Sequence, residues 1–178
     1  TYETSHGYNT TGHLSSMNTP SGTGIAYTPN GFGEPTKSQF GSIKTAYSAI
    51  YHPNGGIRRI LLGNGRFFET YINARQLVTT RHYSYGFWWN FTHDANGRIT
   101  AIDDWNNNRD RTYAYDQLGR LTTATGEWGA ASYSYNNRNN LIRKQLGDRV
   151  VHIQHDSRNR VSRASDGGPA IKWKNYVY

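Results

Sequence analysis

The chain has 178 residues, with 20 Lys and Arg against 12 Asp and Glu, a net charge of +8 and no Cys, so disulfide staples and thiolate metal sites are excluded. Leu, Ile, Val and Phe make up about a sixth of it, a level common in disordered chains. Its 14 Tyr and 5 Trp supply the large, stiff side chains that such chains lack, so a folded protein with an aromatic core is expected.

In chain order, four loose copies of one motif come first: YNTTGHL from Tyr8, YTPNGFG from Tyr27, YHPNGGI from Tyr51 and YINARQL from Tyr71. Four tighter copies follow: FTHDANGRI with His93, YAYDQLGRL with Tyr115, YSYNNRNNL with Tyr135 and IQHDSRNRV with His155. Taking Tyr8, Tyr27, Tyr51, Tyr71, His93, Tyr115, Tyr135 and His155 as anchors gives gaps of 19, 24, 20, 22, 22, 20 and 20. An apolar residue follows six positions later in seven copies, at Leu14, Ile57, Leu77, Ile99, Leu121, Leu141 and Val161, while the second copy has Gly33. A period of this length marks tandem units that bury their apolar faces against their neighbours.

Within a unit, Tyr113 and Tyr115 alternate with small Ala114, and Tyr133 and Tyr135 with Ser134, the period of two that marks a strand. Between anchor and apolar partner stand DQLGR, DANGR, NNRNN or DSRNR, the chemistry of a type I turn followed by a left-handed residue, hence a bulged hairpin tip. The other ends carry turn residues at Thr125–Gly129, Leu146–Asp148 and Asp166–Pro169. The expected fold is therefore all-β, an antiparallel hairpin meander of tandem repeats of about 20 residues forming part of a curved or spiralling sheet. Helix should be almost absent, although Gly41–Ile50 is ambiguous. Residues 1–178 read as one segment, with looser repeats over 1–90, regular ones over 91–165 and a truncated next repeat at 171–178.

The charge is spread evenly: seven cations and three acids in residues 1–90, thirteen and nine in 91–178. Cations recurring at turn positions argue that charge is a by-product of turn chemistry and weigh against a nucleic-acid partner, so a nucleic-acid-binding basic β protein ranks as a second alternative. Trp88, Trp89, Trp105 and Trp128 lie outside the anchors and are candidate stacking platforms for a cell-surface glycan, which makes a carbohydrate-binding module the first alternative. No apolar run exceeds three residues, as at Ile60–Leu62 and Phe87–Trp89, so no membrane insertion by this segment is expected. HExxH, GxSxG and Walker-type patterns are absent. Asp103-Asp104 reads as part of a solvated turn, and His152 and His155 fall on opposite faces of a strand. His93 and His155 read as packing aromatics, and Arg98, Arg120 and Arg160 as partners for tip carbonyls or for Asp94, Asp116 and Asp156. No catalytic residue, metal or cofactor is expected, and the chain is not expected to be an enzyme.

YAYDQLGRL, FTHDANGRI, YSYNNRNNL and IQHDSRNRV resemble the YD repeat of the RHS (rearrangement hot spot) family, roughly YxYDxxGRL, and Tyr51–Gly65 resembles a related form with a Gly-rich tip and a GNG turn. The resemblance implies a long β strip that spirals into a hollow shell, as in bacterial toxin complexes, polymorphic toxins and teneurins. By that analogy the chain is a non-catalytic structural segment of a casing that encloses or presents a toxin or effector, in a secreted or cell-surface-delivered protein. Its partners would be the rest of its own longer chain or shell and an enclosed toxin domain. The DPxGL-type cleavage motif of the toxin members is absent, and both ends are expected to be cuts through a larger shell.

Overall fold

Period-two alternation becomes strand along the chain: the computed structural model describes residues 3–105, 109–165, 167 and 172–177, and no helix occurs among them. The chain divides into two compact units, Thr1–Asn90 and Phe91–Tyr178, close to the place where the loose copies give way to the regular ones. The first holds β1 (Ser5–Tyr8), β2 (Leu14–Asn18), β3 (Gly24–Pro29), β4 (Pro35–Phe40), β5 (Ile43–Tyr51), β6 (Ile57–Leu62), β7 (Phe67–Ile72) and β8 (Val78–Tyr83). β9 (Trp88–His93) crosses the boundary. The second holds β10 (Ile99–Asp104), β11 (Arg111–Tyr115), β12 (Leu121–Gly126), β13 (Gly129–Tyr135), β14 (Leu141–Leu146), β15 (Arg149–His155), β16 (Val161–Ser165) and β17 (Trp173–Asn175). In each unit strands pair antiparallel with the next in sequence, which is the expected hairpin meander. The ambiguous stretch Gly41–Ile50 is largely β5. Of the truncated repeat at 171–178, residues 172–177 are described and hold β17, whereas the Asp166–Pro169 reversal lies largely outside the described residues.

The motif tips share one geometry. At Asp116 the backbone N–H donates to Arg120 O at 2.9 Å, and Gly119 N–H donates to Asp116 O at 3.0 Å. The same two bonds recur at Asn9, Asn30, His52, Asn73, Asp94, Asn136 and Asp156. In all eight tips the third residue on has positive φ: Gly12, Gly33, Gly55, Gln76, Gly97, Gly119, Asn139 and Asn159. Gly reaches this region freely and Asn with modest strain, whereas a Gln side chain crowds its own carbonyl. Gln76→Gly is therefore expected to stabilise the first unit by about 1 kcal/mol, read as a higher urea midpoint with an unchanged slope.

The expected aromatic core needs correction. Among the described residues the buried apolar ones are small, Ala46, Ala49, Ala124 and Ala131, and no large side chain is fully buried. Without a helical layer over either unit among the described residues, rings such as Tyr115 and Tyr135 stay half-buried, while Phe32 and Tyr85 are exposed. In the first unit Trp89 stacks on Phe87 at 4.3 Å and Trp88 on His82 at 4.5 Å.

Candidate functional site

The feature that repeats most faithfully is a rail of polar contacts along the motif tips. At seven of the eight tips an Asn or Asp carboxamide or carboxylate oxygen accepts backbone N–H groups two and four residues on; Asp116 Oδ1 takes those of Leu118 and Arg120 at 3.0 and 2.9 Å, Asn136 Oδ1 those of Arg138 and Asn140 at 2.9 and 3.0 Å. The cap orients the tip and satisfies amides that the ladder cannot reach. His52 departs from this: its Nε2 donates to Thr70 O at 2.7 Å.

The anchors act between hairpins. Tyr115 and Tyr135 pair within their own hairpins with Leu121 and Leu141, and a register shift beside each anchor makes the bulge. Beyond its own hairpin the ladder stops short of the tips: β12 and β13 pair from Thr123–Ser132 to Gly126–Gly129. Into that gap Tyr135 donates its phenol O–H to Leu121 O at 2.9 Å, Tyr115 donates to Ile99 O at 2.9 Å, and Tyr51 donates to Pro35 O at 2.6 Å. Each ring thus serves as a wedge whose hydroxyl satisfies a carbonyl that strand pairing leaves open. Burial pushes the Tyr51 and Tyr135 phenols above their ordinary value, which favours the donating form.

Arginine closes the rail. Arg120 Nε donates to Asp116 Oδ2 at 2.7 Å, and its Nη1 crosses to the next tip, meeting Asn136 O at 3.3 Å and Asn139 Oδ1 at 2.9 Å. Its guanidinium lies over the Tyr135 ring at 4.7 Å. Arg98 repeats the arrangement with Asp94, Asp116 O and the Tyr115 ring, the last at 4.7 Å. Arg160 pairs with Asp156.

The Arg120 backbone N–H holds the Asp116 carboxyl below its ordinary value, and the Arg160 backbone N–H does the same for Asp156. At Asp94 burial pulls upward, but hydrogen bonds from Arg98 and Asn96 outweigh it. Depressed folded values mean that the stabilisation is fully present above the ordinary 3.8 and is lost as pH falls through the folded values. The urea midpoint of the second unit is expected to hold steady from pH 7 to about 5 and to drop below about pH 4.

Two anchors take positions other than those expected. In the second copy the pair beside the tip is Pro29–Pro35, with Tyr27 two residues upstream. In the fourth it is Ile72–Val78, so Tyr71 and Leu77 stand one residue away from it, and Tyr71 is 44% exposed. The capping residue, not the aromatic, sets the register. Tyr8–Leu14, Tyr51–Ile57 and His155–Val161 pair beside their tips, and His93 and Ile99 flank theirs. Of the tryptophans, Trp88 and Trp89 join the aromatic contacts of the first unit, Trp105 is 73% exposed after β10, and Trp128 is 46% exposed in the turn between β12 and β13. Asp103-Asp104 is not a solvated turn: the pair ends β10, and Asp104 is buried, its N–H bonded to Asp110 Oδ1 at 2.9 Å. Among the described residues no three His, Asp or Glu gather as a metal set.

Residues 64–176 match the sequence family described as the teneurin YD-shell. The chain belongs to that family. Solved structures similar to this YD-shell chain include TcdB2-TccC3 without its hypervariable C-terminal region, at 18% identity and a TM-score of 0.77 over 90% of this chain and 10% of that one. TcdB2-TccC3-Cdc42 is similar at 15% identity and a TM-score of 0.72, over 98% and 13%. The Photorhabdus luminescens Tc holotoxin pore, carrying a TccC3 point mutation, is similar at 15% identity and 0.70, over 98% and 12%. At these identities the likeness establishes the fold, and the YD-shell chain spans about a tenth of the length of each of these neighbours. No curated protein matches the sequence. The family supports a structural shell role for the chain.

Proposed function

We propose that this YD-shell chain is a non-catalytic wall segment of a casing that encloses or presents a toxin or effector in an exported or cell-surface-delivered protein. The observation that carries the reading is the rail: seven of the eight tips are capped by their own Asn or Asp, and from Asp94 to Asp116 and from Asp116 to Asn136 arginine and tyrosine tie one tip to the next, so these successive hairpins support one another. Such an arrangement uses its polar groups to hold backbone in place. The Tc holotoxin pore and TcdB2-TccC3 structures share the fold, and the partners would be the remainder of the protein's own wall and its cargo. Electron microscopy of the full-length gene product, with limited proteolysis of its C-terminal segment, tests this. A hollow particle whose cargo resists protease until the wall is opened is expected; a solid or extended particle with a freely cleaved C-terminal segment would overturn the reading.

A further inference from the structure

The second unit holds an open cleft of about 950 Å³ between the tip of β13 and β14 and that of β15 and β16, on walls that include Asn136, Asn140, Asn159, Gln154, His155 and Trp173. It lies where the rail changes chemistry. At the two preceding junctions Arg98 and Arg120 cover the Tyr115 and Tyr135 rings. Here Asn140 stands in the arginine position, its Nδ2 donating to Asn159 Oδ1 at 3.0 Å, and His155 stands where the wedge tyrosine would be. Another cleft, of about 730 Å³, lies in the first unit at a junction whose arginine position is Glu34. Both clefts therefore lie at junctions that lack the covering arginine.

Its polar inventory points to a ligand. His155 Nδ1 is buried without a hydrogen-bond partner, a rare condition that a bound hydroxyl would relieve. Asn136 Oδ1 serves its cap, Asn140 Nδ2 holds Asn159 and Gln154 Oε1 accepts from Arg163. The other ends of these amides offer Nδ2 of Asn136, Oδ1 of Asn140 and Nε2 of Gln154, a mixed donor and acceptor set. Trp173 is 38% exposed, with Arg163 over its ring at 4.7 Å. The formal charges on the wall are Arg138 and Asp156, opposite in sign, and Asp156 is already engaged by Arg160. Neutral amides that meet paired hydroxyls, an imidazole lacking a partner and an exposed indole suit an uncharged, hydroxyl-rich ring, and the volume accommodates two or three of them.

We infer that this cleft is a binding site for a short neutral oligosaccharide, separate from the four tryptophans Trp88, Trp89, Trp105 and Trp128 and independent of whether the chain encloses a cargo. The test is a nuclear magnetic resonance titration of the isotopically labelled chain with maltotriose, cellotriose and triacetylchitotriose in turn. At least one should cause saturable shifts of the Asn140 and Asn159 side-chain amides and the Trp173 indole N–H, with a Kd on the order of 1 mM. Asn140→Arg and His155→Tyr install the groups that fill the sister junctions. Both should keep a dispersed spectrum and weaken the shifts at least tenfold, as should Trp173→Ala on the exposed rim. No shift with any trisaccharide at about 20 mM, or unaltered binding in folded Asn140→Arg, His155→Tyr and Trp173→Ala proteins, would overturn the inference.

Discussion

Tyr135→Ala is expected to destabilise the second unit by about 3 kcal/mol and Tyr135→Phe by about 1 kcal/mol. The alanine change removes a ring wedged between two hairpins that are not joined by ladder bonds at that level, so the gap has little means of closing. The phenylalanine change keeps the wedge and strips Leu121 O of its donor at 2.9 Å, a loss of one partly buried hydrogen bond. Half-burial of the ring holds the first figure toward the lower end of the range for aromatic truncations. Tyr8 provides the control: although it too pairs beside its tip, it is 64% exposed, and Tyr8→Ala should cost under about 0.5 kcal/mol. Urea unfolding of the four proteins checks the order. Equal losses for Tyr135→Phe and Tyr135→Ala would mean that the ring does not act as a wedge.

The sequence shows the hairpins because turn chemistry and period two are local properties. Asp116, Gly119 and Leu121 announce a tip without reference to anything distant. Aromatic anchors were a poorer guide than caps: counted from Asn9, Asn30, His52, Asn73, Asp94, Asp116, Asn136 and Asp156, the spacings become 21, 22, 21, 21, 22, 20 and 20, more even than those counted from Tyr27 and Tyr71. Pro29 and Ile72 hide the register because an anchor position tolerates any side chain that suits the strand end, whereas the capping oxygen is required by two amides. The link from Arg120 to Asn136 and Asn139 was not legible, since it depends on where neighbouring ladders stop, and that is set by twist and bulges across some 16 to 19 residues. The cleft beside His155 was hidden for the same reason. A histidine in an aromatic column reads as a packing substitute until the arginine missing from position 140 is seen beside it.

Arg120→Ala should cost about 2 kcal/mol, because a single guanidinium binds its own cap, two acceptors on the next tip and the face of the next anchor. Arg120→Lys should recover little of this, since one ammonium cannot present the same fork of donors while lying over a ring. Arg160, whose side chain is 40% exposed in its pair with Asp156, should lose under about 1 kcal/mol on the same change. The decisive measurement is the double-mutant cycle of Arg120→Ala with Tyr135→Ala, where a coupling of about 1 kcal/mol is expected. In a tandem array, stability is divided between the units and the interfaces that join neighbours. Coupling of that size would place part of the second unit's stability in the rail, so that opening one junction weakens the next. Strictly additive losses would instead mean that each hairpin stands by itself and that the arginine row is surface decoration.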